Sequence, residues 1–159
     1  MKSKRTHWLL ASILFYGCAS DAAEQPFTLV ADLPDLMTTI VDPAADTYWD
    51  AVGWIIDASG TTEIRPESPE EWEAVRNAAY QVAESGNLMM MAGRGYDEAA
   101  WTTFSQAMIS VGQRAIEAAE ARDEMGVFDV GAELYGVCNG CHETYASETL
   151  RPSGGGGGG

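Results

Sequence analysis

The chain has 159 residues, and 46% of them are hydrophobic, which is enough for one domain with a core of ordinary size. Its 24 acidic and 9 basic residues give a formal charge of −15. Such a charge repels nucleic acid and anionic lipid head groups, so we expect no nucleic-acid partner and basic protein partners instead.

The first 18 residues have the three parts of an export signal. A basic start at Lys2–Arg5 precedes an apolar run at Trp8–Tyr16 and small residues around Cys18. The end of this run resembles the bacterial lipobox, in which a cysteine after a small residue becomes lipidated. We interpret residues 1–18 as a signal peptide of lipoprotein type with Cys18 as the lipidation site; ordinary cleavage nearby is the alternative. With Ala19 next, the resemblance implies a periplasmic protein anchored to the outer membrane.

The segment after the signal leads into the first predicted helix. Residues 19–33 are polar and lack a helical period, so we expect a linker. The apolar residues from Leu33 to Val41 are spaced to form one face of a helix, and this helix is expected to begin near Pro34. Asp42-Pro43 then interrupts the pattern and opens a second piece, which is expected to run to Gly60. The region forms either two short helices or one kinked helix, and residues 59–66 are predicted to be a loop.

A strong helix start follows this loop. Ser68 is positioned to cap the helix, Pro69 fits its first turn, and Glu71 completes a capping box. Apolar residues at intervals of three and four then continue the helical pattern to about Gly93.

Two further helices complete the predicted domain. Asp97 is expected to cap a helix that extends to Arg122, and Gly126 is expected to separate it from the last helix. No segment alternates between apolar and polar residues as a strand would. Residues 34–150 are therefore predicted to be all-α, an antiparallel four-helix bundle, and residues 151–159 a disordered glycine tail.

The last helix contains the motif with the most specific chemistry. Cys138, Cys141 and His142 form the pattern C-x-x-C-H, which is used to attach c-type haem. Two thiols three residues apart lie on one face of a helical turn and can form thioether bonds to the two vinyl groups of one porphyrin. The imidazole that follows can coordinate the iron. We therefore predict one covalently bound haem c, with Cys138 and Cys141 as tethers and His142 as an axial ligand.

Other roles for these cysteines have less support from the sequence. A structural zinc site needs four nitrogen or sulfur ligands, and both Cys18 and His7 lie in the predicted signal peptide. A redox-active C-x-x-C would lie near a βαβ pattern, and none is predicted. A disulfide between Cys138 and Cys141 stays open as an alternative, although it gives His142 no role and closes a very small loop.

The arrangement resembles a known family. A C-x-x-C-H motif in the last helix, continued by Glu143-Thr144-Tyr145, is similar to the cytochrome c′ family of class II c-type cytochromes. The stretches 35–46, Trp49-Asp50 and Glu71-Trp72 resemble a proteobacterial branch of poorly defined role, and the likeness covers about residues 33–147. The resemblance implies a possible homodimer formed through the first helices, since family members are often dimers. Nothing in the sequence suggests substrate chemistry by protein side chains, so we expect no enzymatic activity. One position departs from the family pattern: many members carry a basic residue directly after the tyrosine of C-H-x-x-Y, whereas Ala146 follows Tyr145 here.

In this family the function depends on which residue, if any, binds the iron on the side opposite the histidine. Members with a methionine facing the iron from the first helix are six-coordinate electron carriers, whereas those with an apolar residue there bind NO or CO. Met37 lies on the apolar face of the first predicted helix and is the expected distal ligand. An open site and the cluster Met89, Met90 and Met91 are the alternatives. We therefore expect a one-electron carrier outside the cytoplasm with basic redox partners, or else a haem protein that binds NO or CO.

Overall fold

The computed structural model describes residues 27–96 and 99–146, which are mostly helical and include one two-stranded sheet. This confirms the all-α prediction at the level of a mostly helical domain. The predicted signal peptide with its lipidation site at Cys18, the cap at Asp97 and the glycine tail at 151–159 lie outside the described residues.

The first helical segment is continuous across Pro43. Helix α1 (Leu33–Leu36) leads into a π-helical turn (Met37–Val41), which leads into α2 (Asp42–Trp49). The Asp32 side chain caps α1 by accepting a hydrogen bond of 2.9 Å from the amide of Asp35. The region is therefore one helical segment with a widened turn just before the proline, and not two separate helices.

The expectation that this segment runs to Gly60 is wrong. Strands β1 (Gly53–Asp57) and β2 (Gly60–Ile64) form an antiparallel hairpin, in which Trp54 pairs with Glu63. Both strands are rich in β-branched residues, which favour extended backbone. The amide of Ser59 donates to the Asp57 carboxylate at 2.7 Å, and Gly60 takes a positive φ of 135° that closes the turn.

Helix α3 (Pro69–Met89) begins as predicted. The amide of Glu71 donates to the Ser68 hydroxyl at 3.1 Å, and the Glu71 carboxylate accepts in return from the amide of Ser68. The capping box is thus confirmed. The helix ends at Met89, four residues before Gly93.

The last two helices are α4 (Ala99–Ala121) and α5 (Glu124–Tyr145). Gly126 does not separate them, because it lies inside the first turn of α5. The break is made by Arg122, whose φ is 52°, and by Asp123, whose carboxylate accepts a 3.0 Å hydrogen bond from the amide of Gly126. An aspartate cap one turn earlier therefore starts the helix.

The core lies between the helices. Helix α3 packs against α2 and α4, and α5 packs against α4 and α2. The largest of the fully buried side chains are Tyr48, Leu36 and Leu134. Within the described ranges, no helix is long and apolar enough to cross a membrane.

Candidate functional site

One cavity brings residues of all four helical regions together. Its volume is about 270 Å³, just below the range of about 300–1,000 Å³ typical of ligand pockets, and it opens to solvent on one side. Most of the lining side chains are apolar. The lining residues are Met37, Val41, Asp42, Ala45, Trp49, Met89, Phe104, Met108, Tyr135, Val137, Cys138, Asn139, Cys141 and His142.

The four residues predicted to hold a haem all line this cavity. Cys138, Cys141 and His142 lie on α5, whereas Met37 belongs to the π-helical turn of the first helical segment. All four are half-buried. The fold therefore places the C-x-x-C-H motif and the candidate distal ligand on two different helical segments around a single space.

The two cysteines are free thiols in this structure. Burial raises the pKa of Cys138 to about 11, and the negative charges of the Cys141 thiolate and the Asp42 carboxylate act in the same direction. Burial also raises the pKa of Cys141. At neutral pH both side chains are therefore uncharged, which suits an apolar cavity wall.

His142 lies in the last turn of α5, and aromatic packing holds that turn in place. The ring of Tyr145 stacks on Tyr96 with centroids 4.8 Å apart and meets the edge of Trp101 at 5.2 Å. Trp101 is buried, and its indole N–H donates a 3.0 Å hydrogen bond to the carbonyl of Met89. The imidazole is thus carried by a turn that is packed against the loop before α4 and against α4 itself.

Trp49 forms the side of the cavity where α2 meets α5. Its indole N–H donates a 2.9 Å hydrogen bond to the carbonyl of Gly131. Its ring also lies edge-on to Tyr135, with centroids 6.1 Å apart. These contacts link the helical segment that contains Met37 to the helix that contains the motif.

Several lining residues were not singled out from the sequence. Asp42 contributes a carboxylate, and Phe104 and Met108 contribute apolar surface from α4. Met89 is buried and lines both this cavity and a second pocket beside Tyr96, whereas Met90 and Met91 line only the second pocket. Phe104 and Met108 lie four residues apart on one face of α4, and helical periodicity does not distinguish a core face from a cavity wall.

The structure gives the zinc alternative no support. Across residues 27–96 and 99–146, no group of three or more His, Cys, Asp or Glu side chains is arranged to hold a metal ion.

No protein-family model, curated protein or solved structure matches this chain. The resemblance to the cytochrome c′ family therefore stays a prediction from the motif and the surrounding residues.

Proposed function

We propose that this chain is a c-type cytochrome that binds one haem covalently and carries single electrons outside the cytoplasm. The observation that supports this most is the shared cavity: both thiols and the imidazole of C-x-x-C-H line one space together with the Met37 thioether.

The lining suits a flat, apolar porphyrin. Apolar side chains from all four helical regions surround the space, and the two uncharged thiols stand three residues apart on one helix. Cys138 and Cys141 would hold the group covalently, His142 would bind the iron through an imidazole nitrogen, and Met37 would bind it through sulfur. When bound, haem supplies an iron that alternates between the ferric and ferrous states.

The helix contacts support the four-helix bundle of the proposal. The first helical segment contacts α3 and α5, and α4 contacts α3 and α5, so that the four form a closed ring of neighbours. Such a ring encloses a core in which bundles commonly hold cofactors. The hairpin β1–β2 connects the first segment to α3 and contributes no residue to the cavity lining.

Electron transfer is favoured over ligand binding because the lining offers thioether sulfur. Histidine and methionine together fill both axial positions and raise the reduction potential. Val41 supports a second candidate function: it lines the cavity four residues from Met37, so an apolar side chain is available to face the iron if Met37 does not bind. The haem would then be five-coordinate and would bind NO or CO.

The remaining parts of the proposal come from sequence alone. The predicted lipoprotein signal places the protein in the periplasm with an anchor to the outer membrane. The charge of −15 favours basic redox partners.

The test is the visible spectrum of the protein after maturation with the haem-attachment machinery, recorded after reduction with and without CO. The wild type should carry covalent haem and should not respond to CO. Cys138→Ser combined with Cys141→Ser should lose covalent haem. A wild-type protein without covalent haem would contradict both candidate functions, and ready CO binding by the wild type would favour the second.

Matched methionine variants identify the distal ligand. Met37→Leu should open the site to CO, because leucine keeps the volume but has no sulfur. Met89→Leu and Met108→Leu change cavity-lining methionines in the same way and should leave the spectrum unchanged. If Met108→Leu opened the site and Met37→Leu did not, the assignment of Met37 would be wrong.

A further inference from the structure

A π-helical turn lies just before Pro43, in the part of the first helical segment that lines the cavity. In this turn the amide of Asp42 donates to the carbonyl of Met37, five residues earlier, where an α-helix would use Thr38. The turn therefore holds one more residue than an α-helical turn. Single π-turns inside α-helices occur frequently at functional sites.

The extra residue brings Met37 to the same side of the segment as Asp42. Successive residues of an α-helix are rotated by about 100°, so two residues five apart point in directions that differ by about 140°. Met37 and Asp42 are five apart, yet both line the cavity. In a regular α-helix, Thr38 would take the place of Met37, and Met37 would move into the core position that Leu36 now occupies.

Local chemistry disfavours the regular α-helix at this point. Pro43 has no N–H to donate to the carbonyl of Thr39, and its ring would crowd that carbonyl. The Thr38 hydroxyl donates to the carbonyl of Pro34 at 3.0 Å, and the Thr39 hydroxyl donates to that of Asp35 at 2.5 Å. Two threonines of the widened turn thus donate side-chain hydrogen bonds back to carbonyls of α1.

Pro43 is exposed, as are Thr38 and Thr39, so its effect is exerted through the backbone and not through core packing. We propose that Pro43 is a positioning residue, which maintains the π-helical register that turns Met37, instead of Thr38, into the cavity. This inference rests on the proposed function, since it specifies how the distal ligand is brought to the iron.

The burial of Leu36 also favours the π-helical register, so Pro43→Ala alone leaves the two registers in competition. The test therefore moves the side chains together with the proline. The double variant Met37→Leu/Thr38→Met places the only sulfur of the turn at an exposed position as long as the π-turn persists. Adding Pro43→Ala lets an α-helix form, in which the new leucine fills the core position and the new methionine faces the cavity.

The expected result is a loss and a recovery of iron ligation. The reduced double variant should bind CO readily, and the triple variant should resist CO as the wild type does. Glycine, like alanine, has a backbone N–H and no ring, so Pro43→Gly in place of Pro43→Ala should also restore resistance to CO. Pro34→Ala is the matched control: Pro34 is exposed in the first turn of α1, where no amide donor is needed, so that triple variant should keep binding CO.

A second readout does not depend on haem. Hydrogen peroxide oxidises exposed methionines, and mass spectrometry of peptides gives the rate at the methionine introduced at position 38. Oxidation should be fast in the double variant and slower once Pro43 is replaced. A wild type without haem would contradict the proposed function, and the oxidation rates would still test the register. The inference is wrong if the double variant already resists CO, or if replacing Pro43 changes neither CO binding nor oxidation.

Discussion

Helices α3 and α4 approach each other closely beside Gly112, which makes Gly112→Ala a sharp test of the packing. A Cβ atom at Gly112 would lie 2.7 Å from the Cβ of Ala83, 2.8 Å from its Cα and 2.9 Å from its amide nitrogen. Two of these three atoms belong to the backbone, so no side-chain rotation can relieve the overlap, and the helices must separate. Met108 lies one turn before Gly112 on α4, so this contact also determines the position of one cavity wall.

The expected change in the free energy of unfolding is the difference between two opposing effects. Overpacking a core costs about 1–3 kcal/mol, and a clash with backbone belongs in the upper half of that range. Replacing glycine by alanine in a helix returns about 1 kcal/mol. We therefore expect Gly112→Ala to lower the free energy of unfolding by about 1–2 kcal/mol.

Urea denaturation followed by circular dichroism measures this difference, provided that the slope with denaturant stays constant. Gly136→Ala in α5 is the control, because no atom lies within 4 Å of the added Cβ. It should raise the free energy of unfolding by up to about 1 kcal/mol. A change of stability in the same direction in both variants would contradict close packing of α3 against α4 at Gly112.

Three further predictions concern the capping box and the cavity. Ser68→Ala should lower the free energy of unfolding by about 1 kcal/mol in urea denaturation, because the amide of Glu71 loses its acceptor; an unchanged value would contradict the cap. Hydrogen bonds from the amides of Glu67 and Ser68 hold the pKa of Glu71 below its usual range, so its stabilising effect is present at neutral pH and is lost as pH falls through the folded pKa. The stability difference between wild type and Glu71→Gln should therefore shrink in acid, and a constant difference would refute this. Asp42→Asn should raise the reduction potential of the bound haem by about 20–50 mV, because it removes a negative charge that stabilises ferric iron by about 0.5–1 kcal/mol. The conversion uses about 59 mV for a factor of ten in a one-electron couple. Asp46 does not line the cavity, so an equal shift in Asp46→Asn would contradict a local effect.

The sequence predicted those helices whose signals are local. Ser68 and Glu71 satisfy each other within one turn, so their pattern is sufficient to locate the start of α3. The hairpin at 53–64 was missed because nearly all of its residues are exposed, so that neither strand shows the alternation of a half-buried sheet. The start of α5 was placed too late because glycine often interrupts a helix. Here the amide of Gly126 donates to the capping carboxylate of Asp123, so Gly126 lies within the first turn.

The candidate site was only partly predictable, for a different reason. The C-x-x-C-H motif occupies adjacent positions on one helix, so its residues lie together in any helical structure. Asp42 was missed because periodicity arguments assume 3.6 residues per turn, and the π-helical turn changes that spacing just before it. Met108 could not be singled out, because its neighbours on the apolar face of α4 are core residues and the cavity beside it depends on how the other helices pack.

Under the proposed function, the first helical segment tunes the iron in two opposite directions. A Met37 sulfur ligand would favour the ferrous state and raise the reduction potential. The Asp42 carboxylate, which lines the same cavity from the other end of the π-turn, would favour the more positive ferric state and lower it. The two residues are five apart, and both reach the cavity because the turn between them is π-helical. On this proposal, the C-x-x-C-H motif on α5 would specify attachment, whereas the turn before Pro43 would control both the distal ligand and a carboxylate on the cavity wall.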